Sequence, residues 1–598
     1  MKILLLLLAI GLNRTYSPDS TKVAYTLDND LYVEEVASGR QTRLTFDGSD
    51  VVMNGYASWV YYEEILGRGS RYKAFWWSPD SQRIGFYRFD DSAVPMFPIY
   101  SPFGQDGVLR RTHYPKAGET NPEVRIGIVT VADGKTVWAD FDEKEDQYFG
   151  IPFWGKDSRE FFIAREPRIQ NRFDLYSVSV EDGSKKLIYH EEYKTWVEWI
   201  EQVIFTDKGL YMARNFETGW QQIYFLSYDG KTFRRLTEGP NWDIMLLKVD
   251  EKKGDIWFTA KRDSRIHPAL YRLDKRGRIT ALTDPAFYLS GVRLSKDGKT
   301  FTASQSTAAV PTQQIKGRTD RFQVEVTEDF APRFDLDTLP SPQLVQIQND
   351  GFDLYGLISY PKDFDPSRRY PVLMQLYGGP GTPYVRDYWQ SRDASDRWCF
   401  DNGIIYIVVD PRSSGENGRA GMDEAFRQMT VTELGDYIAW AKYLQGLPYV
   451  QGDRIGVEGF SFGGTTTAML VLRYPEYFRC GVAGGGVYDW MLYDSHYTER
   501  FMETPQANPD GYALATVLNY VQPAADDQPR FARLKLTHGT GDDNVHFQNT
   551  LQLVDALQKA CIQFELMIYP DGMHGYRDAQ HAHDQVSDHD FWTRHLLQ

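Results

Sequence analysis

The sequence predicts a β-propeller followed by an α/β-hydrolase domain, on three observations. A short apolar-aromatic pattern returns at near-constant intervals through the first half of the chain. In the second half, Gly459-Phe460-Ser461-Phe462-Gly463-Gly464 lies between an apolar run and a helix-like run. Downstream of it, an acid and a histidine each sit just past a strand-like stretch.

A chain of 598 residues is too long for a single hydrophobic core and predicts two domains or more. Apolar residues at 42% and charged residues at 25% are an ordinary soluble composition, and 15% aromatics suits an all-β portion. The net charge of −16 argues against nucleic-acid binding, which needs a basic face. Cys399, Cys480 and Cys561 are widely spaced and odd in number, so they form no disulfide framework.

Residues 1–13 begin with Met-Lys and a short apolar run, which reads as a signal-like segment and predicts an exported protein, periplasmic or secreted. The run is too short to span a bilayer. The alternative is a buried first strand.

Residues 14–335 carry the repeats. Ser17-Pro18-Asp19-Ser20 and Ser78-Pro79-Asp80-Ser81 each precede an apolar strand, and Lys296-Asp297-Gly298-Lys299 is a looser copy. A second signature recurs as Leu31-Tyr32, Leu175-Tyr176, Ile223-Tyr224 and Leu270-Tyr271. Arg43-Leu44-Thr45, Arg235-Leu236-Thr237 or Leu282-Thr283 follows three of them. The last three copies start 48 and 47 residues apart, a propeller period. With Ile128 and Phe322 added, about six blades are recognisable. A β-sandwich array is the alternative, which the regular period disfavours.

Residues 50–124 break the period and read as an insertion. Within it Glu63 and Glu64 sit in the aromatic stretch Trp59-Val60-Tyr61-Tyr62-Glu63-Glu64-Ile65-Leu66. Two unpaired carboxylates there would be costly, so the pair is expected to meet a cation.

A linker at 335–342 opens the catalytic domain, 336–598. Residues 343–360 and 370–377 read as strands, the second running into Gly378-Gly379-Pro380-Gly381. A glycine loop early in such a sheet supplies the second oxyanion donor. At Ser461 the flanking glycines permit a sharp strand-to-helix turn, and the N–H groups that follow are placed to bind an oxyanion. A serine nucleophile needs a base, and the base an orienting acid. Asp542, after the strand-like 534–538, and His574, after the alternating Phe564, Leu566 and Ile568, supply both in the hydrolase order. Singly, Asp542 is also a turn residue and His574 a surface histidine; the joint arrangement favours the triad. His581, His583, His589 and His595 lack zinc-site spacing and read as a solvated helix.

These motifs together resemble the dipeptidyl peptidase IV branch of the prolyl oligopeptidase superfamily. The likeness rests on Trp59 to Glu64, Trp77-Ser78-Pro79, Tyr114-Pro115-Lys116-Ala117-Gly118 with Asn121-Pro122, the Ser461 elbow, Asp494-Ser495-His496-Tyr497-Thr498-Glu499-Arg500, and the stretch His538 to Phe547. The resemblance implies that Ser461, Asp542 and His574 form the triad. The Tyr377 hydroxyl and Phe462 N–H would bind the oxyanion. Glu63 and Glu64 would grip the substrate amino terminus, with Asn544 and Arg500 as polar contacts. Val487, Trp490, Tyr493, Tyr497, Val545 and the Phe462 ring would receive proline, whose flat ring suits an aromatic slot.

Three departures stand out. Phe460 and Phe462 replace the usual Trp and Tyr of the elbow. Pro411-Arg412-Ser413-Ser414-Gly415 replaces a glycine-richer loop. The family also carries propeller sequence before the part matching 14–33, including an arginine that contacts substrate. This predicts an incomplete, open blade ring with weak stability, rather than a smaller closed one.

The resulting expectation is a serine exopeptidase that releases X-Pro, less well X-Ala, dipeptides through an acyl-enzyme. Its substrates have a free amino terminus and a penultimate proline. No cofactor, metal or nucleic-acid partner is implied, and a homodimer is left open. The rival readings are a prolyl tripeptidyl or acylaminoacyl peptidase, and an inactive propeller binding protein.

Overall fold

The structure, a computed structural model, describes residues 11–390, 394–523 and 530–598. Between residues 12 and 329 six antiparallel sheets of four or five strands follow one another in sequence order. Blade 1 comprises Leu12–Tyr16, Lys22–Leu27, Asp30–Glu35 and Gln41–Arg43, and blade 6 runs from Tyr288–Leu294 to Val324–Asp329. Leu12 and Asn13, read as the end of a leader, thus belong to the first strand. Residues 1–10 of that segment lie outside the described residues.

The repeated signatures are hydrogen-bond devices. Leu31, Ile223 and Leu270 open the third-strand signature of blades 1, 4 and 5. Each donates its N–H at 2.9 Å to the hydroxyl of the threonine that ends the following motif: Thr45, Thr237 and Thr283. The Ser-x-Asp turns join the first and second long strands. Ser17, Ser78 and Ser295 donate to Asp19, Asp80 and Asp297 at 2.5–2.7 Å. They also register neighbours: the Asp19 N–H reaches Ser81 of blade 2, and the Asp80 N–H reaches Ser158 of blade 3, both at 3.1 Å. Phe322, used to count the sixth blade, lies in the turn between Gln313–Arg318 and Val324–Asp329, not on a strand. The buried apolar residue of that third strand is Ile315.

The stretch 50–124 also differs from its reading as one insertion. It holds blade 2's own strands Val52–Asn54, Phe75–Trp77 and Arg83–Asp90, because the Trp77-Ser78-Pro79 turn is itself a blade motif. What remains is two excursions. The first carries the helical turn Tyr61–Ile65, and the second the hairpin Met96–Ser101 with Val108–His113. Apolar clusters join successive blades, from Leu31 against Phe75 and Phe86 in blades 1 and 2 to Trp257 against Phe301 in blades 5 and 6. Among the described residues none joins blade 6 to blade 1, and Tyr16 and Phe46 of blade 1 are exposed.

The second domain is an eight-stranded sheet in the order Gln343–Asn349, Phe352–Ser359, Ile405–Val409, Tyr370–Gln375, Val450–Phe460, Cys480–Gly484, Arg530–Gly539, Ile562–Tyr569. The first two strands are antiparallel and the rest parallel. Parallel strands are buried on both faces, which is why they read as continuous apolar runs. Thr432–Gln445, Phe462–Arg473 and Gln548–Lys559 cover one face through Trp440, Met469 and Leu553. Cys399, Phe591 and Trp592 cover the other. Among the described residues no helix is long and apolar enough to cross a membrane.

Charged groups fasten the blades to this sheet. Arg168 forks onto Glu499 with two bonds of 2.6 Å, and the Gly118 N–H adds a third at 2.7 Å. Ser495 donates to Asn121 at 2.6 Å, and Gln170 to the His496 carbonyl at 2.8 Å. Glu499 is only 2% exposed, so removing its arginine strands a buried charge at a cost of about 3 kcal/mol. Arg168→Met is therefore expected to lower the thermal midpoint by several degrees in calorimetry. An unchanged midpoint would mean that apolar contacts alone hold the two domains together.

Candidate active site

Ser461 sits between Val450–Phe460 and Phe462–Arg473 with φ 60° and ψ −120°, a strained turn. The glycines around it are required by contact. A Cβ on Gly459 would meet Gly463 backbone at 2.5 Å, one on Gly463 the Leu376 carbonyl at 2.7 Å, and one on Gly464 the Gly484 carbonyl at 2.3 Å. Phe462 opens the helix, so its N–H belongs to the first turn and has no intrahelical partner. Tyr377 follows the strand Tyr370–Gln375, and its hydroxyl is within hydrogen-bonding reach of Ser461. Burial, then the stacked Tyr384 ring at 4.8 Å, raise its pKa, so the phenol remains a donor. Behind it the altered loop is a brace. Arg412 forks onto Asp436 at 2.9 and 2.7 Å, and the Ser413 carbonyl accepts the Gly381 N–H at 2.8 Å.

Asp542 and His574 meet at 2.8 Å through Nδ1. Asp542 is buried and accepts the N–H groups of Asn544 and Val545 at 2.9 and 3.1 Å. Burial works to raise its pKa. His574 and His538 outweigh it, by charge and by hydrogen bond, and hold the carboxyl below its ordinary range. Among the described residues no hydrogen bond joins the Ser461 hydroxyl to His574. Such bonds commonly close only when substrate is present.

The residues expected to receive proline lie together. Phe462, Val487, Trp490, Tyr493 and Val545 share one buried cluster, with Tyr377 and Tyr497 packed against it. Ring centroids from Phe462 to Trp490, Trp490 to Tyr493 and Tyr493 to Tyr497 are 5.4, 5.9 and 5.6 Å apart.

Asn544 ties this slot to the blades. Its Nδ2 donates to Glu63 at 3.0 Å, its Oδ1 accepts the Tyr493 hydroxyl at 2.7 Å, and its carbonyl accepts Tyr114 at 3.0 Å. Glu64 lies against Asp494, the N-cap of Ser495–Met502. Burial first, then the charges of Asp494 and Glu63, raise the Glu64 pKa well above the carboxylate range. Burial pushes Asp494 up to about 7, and the two share a hydrogen bond. Two carboxyls so close retain a proton between them near neutrality. Arg500 faces the blades: its Nε donates to Gln170 at 2.8 Å, and its guanidinium is 3.8 and 3.6 Å from Glu166 and Glu198.

Three residues of this site were not singled out from the sequence. Arg68 pairs with Glu63 and, at 3.0 Å, with Asp543, so a cation expected beside the glutamates comes from the same excursion. The first basic residue after Glu64, four positions on, was its signal. His538, at the end of Arg530–Gly539, places Nε2 3.3 Å from Asp542 while bonding Thr550 and the Val545 carbonyl at 2.7 and 2.8 Å. Asp494 gave no separate signal, since its pairing with Glu64 crosses the domains. His581, His583, His589 and His595 do not converge: His583 packs on Tyr569, His589 stacks on Trp398, and His595 bonds Glu565.

A serine at the elbow of a parallel sheet, an acid and histidine at the same edge, and blades laid over them define an α/β-hydrolase fold with a propeller cap. Residues 12–312 match the dipeptidyl peptidase IV (DPP IV) N-terminal region, and residues 389–598 match the prolyl oligopeptidase family. The chain belongs to the dipeptidyl peptidase IV branch of the prolyl oligopeptidase family. It is 33% identical to the probable dipeptidyl-aminopeptidase B of Emericella nidulans over 94% of this chain and 65% of that protein. It is 29% identical to the probable dipeptidyl peptidase 4 of Aspergillus flavus, over 91% and 72%. The crystal structure of Porphyromonas gingivalis dipeptidyl peptidase 4 superposes with a TM-score of 0.88 at 32% identity, covering 98% of this chain and 82% of that one. The chain thus spans 65% of the length of the Emericella relative.

A half-buried, strained serine at the same sheet edge as an Asp–His pair should be selectively reactive. A fluorophosphonate probe is expected to label Ser461 alone among the serines, as read by peptide mass spectrometry, and Ser461→Ala to abolish labelling. Labelling spread over several serines would show that the elbow confers no reactivity.

Proposed function

We propose that the chain is a serine exopeptidase that removes X-Pro, and less readily X-Ala, dipeptides from peptides with a free amino terminus. Ser461 attacks the carbonyl carbon of the second residue. His574 takes the serine proton and returns it to the leaving amine, while Asp542 holds the ring by its Nδ1–H. The oxyanion is received by the Tyr377 hydroxyl and the Phe462 N–H, and water then hydrolyses the acyl-enzyme. One observation carries the dipeptide rule: Glu63 is held at 3.0 Å by Asn544, two residues after Asp542. The carboxylates that would take the ammonium are thereby fixed at one distance from the serine. The related proteins named dipeptidyl peptidases support the same reading. Comparing dipeptidyl, tripeptidyl and N-blocked chromogenic substrates tests it; preference for either of the last two would replace it with a tripeptidyl or acylaminoacyl rule.

Glu63→Gln removes one charge-assisted bond to the ammonium, worth about 1.5–3 kcal/mol. We expect kcat/KM for Gly-Pro substrates to fall roughly ten- to more than hundredfold. An N-acetylated substrate, already poor, should change little. Equal losses on both substrates would mean that Glu63 is needed for folding rather than for recognition.

The Glu64–Asp494 pair adds a pH signature. Ammonium binding needs the ionised form, and the raised pKa means that this form is lost as pH falls, so KM should rise toward acid. Asp494→Asn keeps a cap on the helix but removes a neighbouring charge that raises Glu64. The acid limb of KM is then expected to move to lower pH, with kcat keeping its own profile; a limb that stays in place would show that the pair does not govern binding.

Export rests on the signal-like start, and fractionation of the producing cells checks it. A homodimer is supported by exposed Tyr100, Phe103 and Leu109 on the hairpin, which lies against Asp571 through Ser101 at 2.5 Å and Arg110 at 3.0 Å. Sedimentation velocity decides between one copy and two.

A further inference from the structure

Behind Glu64, blades and sheet enclose a cavity of ≈ 310 Å³. The hydrolase domain contributes His496 and Tyr497 to its lining, and the blades contribute Glu64, Glu198, Glu201 and Asp243. The cations near it are already engaged. Arg214 forks onto Glu191 at 2.6 and 2.8 Å, Lys261 pairs with Asp243 at 2.8 Å, Arg500 lies between Glu166 and Glu198, and Glu198 is also met by Arg419 at 3.3 Å and by the Trp196 Nε1–H at 2.6 Å. Glu201 has no hydrogen bond or ion pair among the described residues, and Glu198 and Asp243 add their charge to its surroundings. Among these acids it is Glu201 that leaves the cavity an unmatched negative charge.

A second observation is independent of the acids. His496 is only 2% exposed, and neither ring nitrogen has a hydrogen-bond partner among the described residues. Tyr148 packs edge-on to the ring at 4.6 Å and Trp199 lies parallel at 6.4 Å, so the ring is held in the wall. Burial, then Arg500, keep it neutral. A neutral imidazole has one acceptor nitrogen, and a buried acceptor left unmet is costly. The complement to an acidic cavity with an unmet acceptor is a cation rich in N–H donors.

We propose that this cavity receives the side chain of the substrate's first residue and selects lysine or arginine there. The inference rests on the dipeptidase reading. With the ammonium at Glu63 and Glu64, the first side chain leaves the same Cα and enters the space that shares the Glu64 and Tyr497 walls. A lysine or arginine stem can lie along Trp199 and Tyr497, while its head meets Glu201 and donates to His496. An acidic first residue is repelled, and a small one makes no use of the cavity.

The test uses Ser461→Ala protein and calorimetry with the tripeptides Lys-Pro-Ala, norleucine-Pro-Ala and Glu-Pro-Ala. Norleucine keeps the apolar stem and removes the charge. Lysine is expected to bind more tightly than norleucine by about five- to tenfold, the range of one or two partly exposed ion pairs. Glutamate should bind worst. Adding Glu201→Gln should bring the lysine-to-norleucine ratio toward one. Equal affinity for lysine and norleucine, or a ratio that Glu201→Gln leaves unchanged, overturns the proposal. Hydrolysis of a Gly-Pro substrate by the natural chain places no side chain against Glu201 and His496. If that hydrolysis is intact and the lysine preference absent, the pocket alone falls; if it is absent, the dipeptidase reading falls and takes the pocket with it.

Discussion

The hydrogen bond from Asn544 to Glu63 is the contact on which the site depends. It joins a blade excursion to the loop that carries Asp542, across 481 positions of sequence. Both partners are constrained from behind. Asn544 is fixed by Tyr493, Tyr114 and the Asp542 carboxylate, and Glu63 by Arg68. A length rule for substrates is only as sharp as this spacing is stiff. Short, charge-assisted bonds in a partly buried place are a means by which two separate domains can hold such a spacing.

The same economy governs the charges around the site. The region between blades and sheet is crowded with carboxyls, including Glu63, Glu64, Asp494, Glu166 and Glu499. Burial opposes their ionisation, and the fold answers in different ways. Glu499 is matched by the fork of Arg168, Glu64 shares a hydrogen bond with Asp494, and Glu166 lies 3.8 Å from Arg500. The acids matched by arginine fasten the domains together; those left incompletely matched remain open to an incoming cation. Asp542 is the opposite case, where two histidines and two backbone N–H groups keep a buried carboxylate charged. That is the state in which it can orient His574.

Packing divides the labour in another way. The elbow tolerates no side chain at Gly459, Gly463 or Gly464, because backbone from neighbouring segments lies where a Cβ would be. The blades are joined more loosely, through repeated serine turns, while the threonine hydroxyls tie strands within a blade. Each blade contacts its sequence neighbours, so the array is added to one blade at a time. Blade 2 brings Glu63 to Asn544, and blade 3 brings Arg168 and Gln170 to the helix Ser495–Met502.

The sequence by itself determined what is local or periodic. The blade repeats, the strand-turn-helix around Ser461, and the strand ends that precede Asp542 and His574 were legible because each rests on hydrogen bonds or side-chain periodicity within a few tens of residues. The family resemblance extended this to Glu63, Glu64, Asn544 and the proline slot, whose residues the structure draws into one place. What only the tertiary structure decided lies in contacts that join distant segments. That stretch 50–124 is two excursions from a regular blade follows from strand pairing, which leaves no trace in the local pattern. That Arg68 stands beside Glu63, that Asp494 shares a hydrogen bond with Glu64, and that His496 lines an acidic cavity depend on where the blades come to rest against the sheet. Charge and burial at such places are set by partners hundreds of residues away, and a one-dimensional sequence does not carry that distance.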